Sequence, residues 1–562
     1  MINRSEIGGI PVLHTPTTGP LHAGLVFRVG QVDEPLARRG VTHLIEHLAL
    51  HSFGAADHHY NAATGAEFTW FHMRGTEAEV VAFLNGVCAA LRNLPEQRLA
   101  AEKEILRTEG NSRDTGPGEA LALWRHGAES YGSVAYPEWG LADLTIDDLR
   151  SWTARYFNRQ NAALWIAGAG VPAGLDLDLP DGDRQPVPPV SSALPVRPAW
   201  FPGGADLVAW DTVVPRGAPA LVFAGVLERV LFRSLRQEGG LSYTVRADVS
   251  ARADGTAVIT ALADSLPEKQ GAVLGAFVDV LAAMRLGVID EADVAAVVKN
   301  RADEITGAGS LPGEVFNLLT GQRVRTTAEE IQAELRAVGR DDVVAVAAVA
   351  VAEGLLMTPG RTRADWAGYA EAPAGSDAAV DGRVHAALGY RPDGATLTVA
   401  ADGVTLTRGD DLATVRFDSC AAVLAWPDGA RRLIGHDGIQ VHAEPTLFAD
   451  GPAVTAAIDT AVDPGARVTM PAREPESIPV PQRRPGLLTR VRWAYIRNRR
   501  LTWAVLNGLG AVALGVFGCY AIGSVLFGDE TWNVLGGGFF AVLISAAWLG
   551  SVRRRFRELM RD

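Results

Sequence analysis

The chain has 562 residues, 48% of them hydrophobic and 21% charged, with a formal net charge of −13. That length exceeds a single core and that composition is not a disordered one, so three or four folded domains are expected. The acidic balance argues against general nucleic-acid binding, and the three cysteines (Cys88, Cys420 and Cys519) have no metal-type spacing.

In chain order, Met1 to Gly9 lacks the apolar core of a signal peptide, so export of the first domain by the usual route is not expected. Pro11-Val12-Leu13 and Ala23 to Gly30 read as strands around the Gly19-Pro20 turn. Thr42 is expected to cap a helix carrying His43-Leu44-Ile45-Glu46-His47 and ending near Ser52-Phe53-Gly54. Residues i and i+4 stack on one helical face, so His43 and His47 aim two imidazoles at one point, where a zinc ion can sit. Glu46 borders that point and can take a proton from water there. This H-x-x-E-H order inverts the commoner H-E-x-x-H zinc motif. Strands follow at Tyr60 to Thr64 and Phe68 to Met73, then a helix from Glu77 to Leu91. Pro95 to Glu109 reads as a polar helix with Glu102 and Glu109 two turns apart on one face. A hydrolytic zinc site takes three protein ligands. Spacing leaves His51, His58, His59, His72, Glu102 and Glu109 all open as the third. Thr145 to Phe157 reads as a capped helix and Asn161 to Gly168 as a strand.

Residues 171–204, rich in Pro, Gly and Asp, are expected to link the zinc-bearing part (1–170) to a second α/β part (205–365). That second part should hold a long helix near Ala220 to Glu238. It has no second H-x-x-E-H, and no His occurs between His126 and His385, so it cannot build an imidazole zinc site of its own. Residues 371–481 alternate like short strands and are expected to form a small β-rich domain, loosely resembling bacterial pleckstrin-homology-like modules. A basic juxtamembrane segment (482–500) precedes Leu501 to Phe527 and Trp532 to Val552, two apolar runs joined at Gly528-Asp529-Glu530; a basic tail (553–562) follows. These runs are long enough for a two-helix transmembrane hairpin, and the flanking arginines place both ends in the cytoplasm against anionic lipid.

Arg39 to Leu48 resembles the active-site helix of the pitrilysin/insulinase metallopeptidases, the inverzincins. Tyr60 to Thr64 with Phe68-Thr69 resembles that family's substrate-pairing strand, and Glu102 to Glu109 the segment bearing its distal glutamates. Leu235 to Tyr243 resembles the Arg/Tyr substrate motif of its second repeat. The likeness runs from about residue 5 to 360, two repeats in order. It implies His43, His47 and Glu109 as zinc ligands, Glu46 as general base and Glu102 as a carboxylate steadying a ligand. It implies backbone pairing of Asn61 and Ala62 with an extended peptide, and contact of Arg236 and Tyr243 with that peptide. The gap from His47 to Glu109 is shorter than is common in the family, which implies trimmed loops. The family's chamber takes four repeats and this chain has two, so the resemblance implies a homodimer, or a heterodimer with a related chain. The expected fold class is α+β: two tandem insulinase-like repeats, a β-rich domain and a transmembrane hairpin. The expected function is a membrane-anchored zinc endopeptidase on the cytoplasmic face, cutting short or unfolded peptides. The alternative is a non-catalytic partner subunit.

Overall fold

The computed structural model describes residues 1–51, 59–112, 116–391 and 393–482, with 512–514, 516–517, 519 and 545. The first sheet contains β1 (Asn3–Ile7), β2 (Ile10–Pro16), β3 (Leu21–Phe27), β4 (His59–Thr64), β5 (Thr69–Gly75) and β6 (Ala162–Gly168). Their order is β1-β2-β6-β3-β5-β4, with β2 and β6 parallel and the other neighbours antiparallel. Between these strands run α1 (Val41–Leu50), α2 (Glu77–Arg92), α3 (Leu99–Ser112), α4 (Pro117–His126) and α5 (Ile146–Tyr156). Thr76 and Thr145 cap α2 and α5, each accepting the backbone N–H three residues on.

The second sheet repeats this plan. It has β7 (Ala199–Pro202), β8 (Leu207–Pro215), β9 (Val245–Ala251), β10 (Thr256–Asp264), β11 (Leu355–Thr358) and β12 (Ala370–Glu371). In the order β12-β7-β11-β8-β10-β9 the run from β7 to β9 follows β2-β6-β3-β5-β4 of the first sheet, but the edge differs: β12 comes last in the chain and pairs parallel with β7, where β1 comes first and pairs antiparallel with β2. Its helices are α6 (Ala218–Leu231), α7 (Gln270–Arg285), α8 (Glu291–Glu304), α9 (Gly307–Leu319), α10 (Ala328–Arg336) and α11 (Arg340–Ala352). Helix α6 joins β8 to β9 as α1 joins β3 to β4. The 171–204 stretch expected as a linker is irregular up to β7, yet it buries Leu177, Leu179 and Leu194.

Each half lends a helix to the other. Leu311, Val315, Leu318 and Leu319 of α9 pack on Leu13, Val26, Ala163 and Trp165 of the first sheet. Leu121 and Trp124 of α4 pack on Phe201, Ala209 and Met357 of the second. Both sheets are thus covered on two faces, which is why β6, Ala-Ala-Leu-Trp-Ile-Ala-Gly, is buried at every position.

Two four-stranded sheets follow: β13 (Arg383–Ala386), β14 (Thr396–Val399), β15 (Gly403–Arg408) and β16 (Asp411–Arg416), then β17 (Cys420–Ala425), β18 (Arg431–Gly435), β19 (Gln440–Ala443) and β20 (Arg467–Thr469). Helix α12 (Gly451–Ala461), which the alternating pattern did not announce, fills their shared core with Val454 and Ile458.

The expected transmembrane hairpin is corrected, and with it the multi-pass membrane location and the lipid contacts. Crossing a hydrocarbon layer ~30 Å thick takes about 20 apolar helical residues. No helix among the described residues is long and apolar enough to cross a membrane. Residues 501–552 fall almost wholly outside the described residues, as do 483–500 and 553–562. The fold is α/β in two matched halves with a β-rich addition.

Candidate metal centre

Helix α1 starts two residues earlier than its sequence suggests. Its N-cap is Gly40 at φ 97°, and Thr42 lies inside the first turn. The capping acceptor comes from a distance: the buried Glu34 carboxylate takes the Gly40 N–H at 3.0 Å and the Thr42 N–H at 2.8 Å. Thr42 Oγ1 instead accepts the indole N–H of Trp152 at 3.1 Å. A Cβ on residue 40 would meet Glu138 Cβ at 2.9 Å. Glycine is therefore required there for the left-handed backbone and for the close approach of the chain around Glu138.

From this fixed start, His43 and His47 project one turn apart, their ring centroids separated by 4.9 Å. One ligand atom each from His43, His47 and Glu109 lies within 4.8 Å of the others. His47 Nε2 is 3.8 Å from Glu109, whose side chain is 57% exposed. Each imidazole is held from behind by a carboxylate. His43 Nδ1 is 3.0 and 3.3 Å from the two oxygens of Glu138. His47 Nδ1 is 3.4 Å from Glu102, which Arg98 grips through its other oxygen at 2.8 Å. A carboxylate on Nδ1 leaves Nε2 as the coordinating atom of each ring. Two imidazoles with a nearby carboxylate are a zinc donor set, and the arrangement fits that ion. Burial pulls the His43 imidazole down in pKa, but Glu138, Glu46 and Glu109 outweigh it and raise it.

Glu46 is 5% exposed on the same helix. Burial raises its carboxyl above the usual range, with His43, the Thr64 hydroxyl and His47 pulling the other way. Thr64 Oγ1 donates to Glu46 at 2.8 Å. Thr64 ends β4, the edge strand of the first sheet, which also carries Asn61 and Ala62. Asn61 Oδ1 accepts the backbone N–H of Ala62 at 2.9 Å.

The other candidates fall elsewhere. His51 follows α1, exposed; His59 opens β4, exposed; His58 lies outside the described residues. His72 on β5 faces His22, 3.4 Å between ring nitrogens. Arg236 lies on a turn of π-helix, Phe232–Glu238, that continues α6. Its guanidinium stacks 4.6 Å from the ring of Tyr243, which is 74% exposed. Among the described residues, no hydrogen bond, ion pair or ring contact joins this pair to His43, His47 or Glu109. Sequence reasoning missed Glu138 and Thr64. Glu138 stands 95 positions from His43 in a stretch without a motif, and nothing in its spacing could have flagged it.

No protein-family model matches the chain. It is 25% identical over 280 residues to a Streptomyces coelicolor protein named as an uncharacterized zinc protease, a match taking in 41% of this chain and 60% of that one. The chain thus spans less than two thirds of that relative's length. Its fold is similar to a Pseudomonas fluorescens structure described as a peptidase M16 inactive domain, at TM-score 0.54 and 14% identity over 65% of this chain and 98% of that one. It is also similar to a chain of complex III2 from Candida albicans, at TM-score 0.51 and 14% identity over 64% and 96%. These two likenesses concern the fold alone.

Proposed function

We propose that the chain is a zinc-dependent endopeptidase of the pitrilysin/insulinase type. The observation that carries this reading is the convergence of His43, His47 and Glu109 beside a buried Glu46. His43, His47 and Glu109 would hold the metal. Zinc there would supply Lewis-acid polarisation of the scissile carbonyl and ease ionisation of the attacking water. Glu46 takes the proton of that water and delivers it to the leaving nitrogen; its burial suits a base that must also act as an acid. Thr64 keeps the Glu46 carboxylate turned to the site. Glu102 and Glu138 keep the two imidazoles aimed.

The substrate is an extended peptide added to the free edge of β4. Its carbonyl would take over the Ala62 N–H now held by Asn61. Arg236 and Tyr243 would contact the peptide and steady charge on its carbonyl oxygen. They are exposed and, among the described residues, share no contact with the metal group, which supports a site closed by a second chain, whether identical or related. The short or unfolded state of the peptide follows from the need to offer a free strand.

The test is metal analysis with cleavage of a peptide library, comparing wild type with Glu46→Gln. Loss of cleavage with zinc retained is expected; full activity in the variant sinks the reading. A non-catalytic partner subunit is the second reading, favoured by a second half whose α6 carries no histidine while displaying Arg236 and Tyr243 outward. A purified chain that takes up no zinc would select it.

A further inference from the structure

We infer that the β-rich addition positions the metal centre: its β17–β20 sheet holds the 127–143 segment so that Glu138 meets His43. This rests on the zinc reading above and deepens it. The segment between α4 and α5 is short turns of 3-10 helix, Ser130–Ala135 and Trp139–Ala142, which have little cohesion of their own. Ala128 and Tyr136 from this segment share one buried cluster with Ala422, Leu424, Ile434 and Val468 of the sheet.

Polar contacts fix the register of that packing. The Ala128 N–H donates to the carbonyl of His436 at 2.9 Å. The Thr469 N–H donates to Asp143 at 2.6 Å, and His436 Nδ1 lies 3.2 Å from Glu129. Gly127, at φ 74°, lets the two backbones touch: a Cβ there would sit 2.0 Å from the His436 carbonyl oxygen. On its other side the segment meets the start of α1. Arg39 Nε donates to the Tyr136 carbonyl at 2.6 Å, and Gly40 makes room for Glu138. The segment is therefore sandwiched between the β-rich sheet and the helix that bears the ligands. Glu138 is the side chain through which it grips a ligand. Glu138 is a positioning residue, and the sheet is its support.

The test uses the full chain and reads zinc affinity by competition with a chromophoric chelator, alongside the visible spectrum of the cobalt-substituted protein. Glu138→Ala is expected to weaken zinc by about tenfold to a hundredfold and to alter the cobalt bands, with Glu138→Gln recovering most of the affinity. The surface pair Glu129→Ala with Asp143→Ala removes two tethers to the sheet. It is expected to weaken zinc several-fold in wild type and to add nothing in the Glu138→Ala background, because both act through one contact. Circular dichroism checks that each variant is folded. Unchanged affinity in Glu138→Ala or in the tether pair overturns the inference, as does a tether effect that persists in full without Glu138. A wild-type chain that binds no zinc at all overturns the proposed function, and this inference with it; zinc binding that is indifferent to these variants overturns the inference alone.

Discussion

His43 and His47 differ in how they are held. His43 leans on Glu138, from a distant turn, and His47 on Glu102, which Arg98 steadies from one turn earlier in the chain. Glu46 depends on Thr64, whose hydroxyl fixes the orientation of a carboxylate that burial pushes up in pKa. Thr64→Val is expected to lower kcat by roughly tenfold, the scale of one hydrogen bond to a charged group, with zinc content unchanged. Steady-state kinetics with metal analysis checks this; a lost metal would show that Thr64 holds the ligands instead. The pair His43/His47 was legible because an i, i+4 relation is local and survives any tertiary arrangement. Glu109 was one of six open choices by spacing, because which side chain returns to a helix depends on how the next helices pack.

At the scale of elements, helix α1 is placed by contacts from outside it: Glu34 on its first N–H groups, Trp152 on Thr42 and Glu138 on His43. Gly40→Ala is expected to cost about 1–3 kcal/mol in denaturant unfolding, through the left-handed backbone and the contact with Glu138. It should also weaken zinc, since Glu138 must shift. Helix α9 illustrates the same dependence across halves. Leu311 is fully buried against the first sheet though it belongs to the second half. Leu311→Ala is expected to destabilise by about 2–5 kcal/mol and to lower the melting of the whole two-sheet body, read by calorimetry. Most strand and helix positions in the first half were readable from periodicity, though β1 and α4 were not, and Thr145 was readable as a cap from its residue type before a helical run. Thr42 misled because a cap residue signals only where its own side chain is the acceptor, and here Glu34 plays that part from eight residues away.

The two sheet-bearing halves, residues 1–371, exchange a covering helix, with a buried polar seam between them. Arg125 of α4 donates to Asp211 of β8 at 3.0 Å and to the Glu353 carbonyl at 3.1 Å. His126 donates from Nδ1 to the Ser191 carbonyl at 2.6 Å and accepts from Arg252 at 2.8 Å, so it must be neutral. Burial, and then the Arg252 charge, pull its pKa down to about 3. In the unfolded chain the imidazole titrates near 6.5 and binds the proton more readily than in the folded one. Its contribution to stability is therefore complete above about pH 6.5 and is lost as pH falls towards 3. Stability measured by urea unfolding should drop across that window, and less steeply in His126→Phe; an equal slope in the variant would assign the acid loss to other groups. Residues 1–170 alone lack α9 over Leu13, Val26 and Trp165, and are expected to give no folded monomer by size exclusion and circular dichroism.

The sequence by itself determined what is local or periodic: two α/β halves in order, the helix bearing His43, Glu46 and His47, and the β-rich strands after residue 380. These follow from hydrophobic period and from spacing along one helix, which need no knowledge of the rest. It also pointed to a membrane hairpin from apolar length and the arginines flanking it, and no helix among the described residues is long and apolar enough to cross a membrane. Only the tertiary structure decided that each half is roofed by the other's helix, that Glu109 faces His47, and that Glu138 and Thr64 hold His43 and Glu46. Those contacts join residues up to hundreds of positions apart, and no spacing rule reaches across a chain whose path is set by packing.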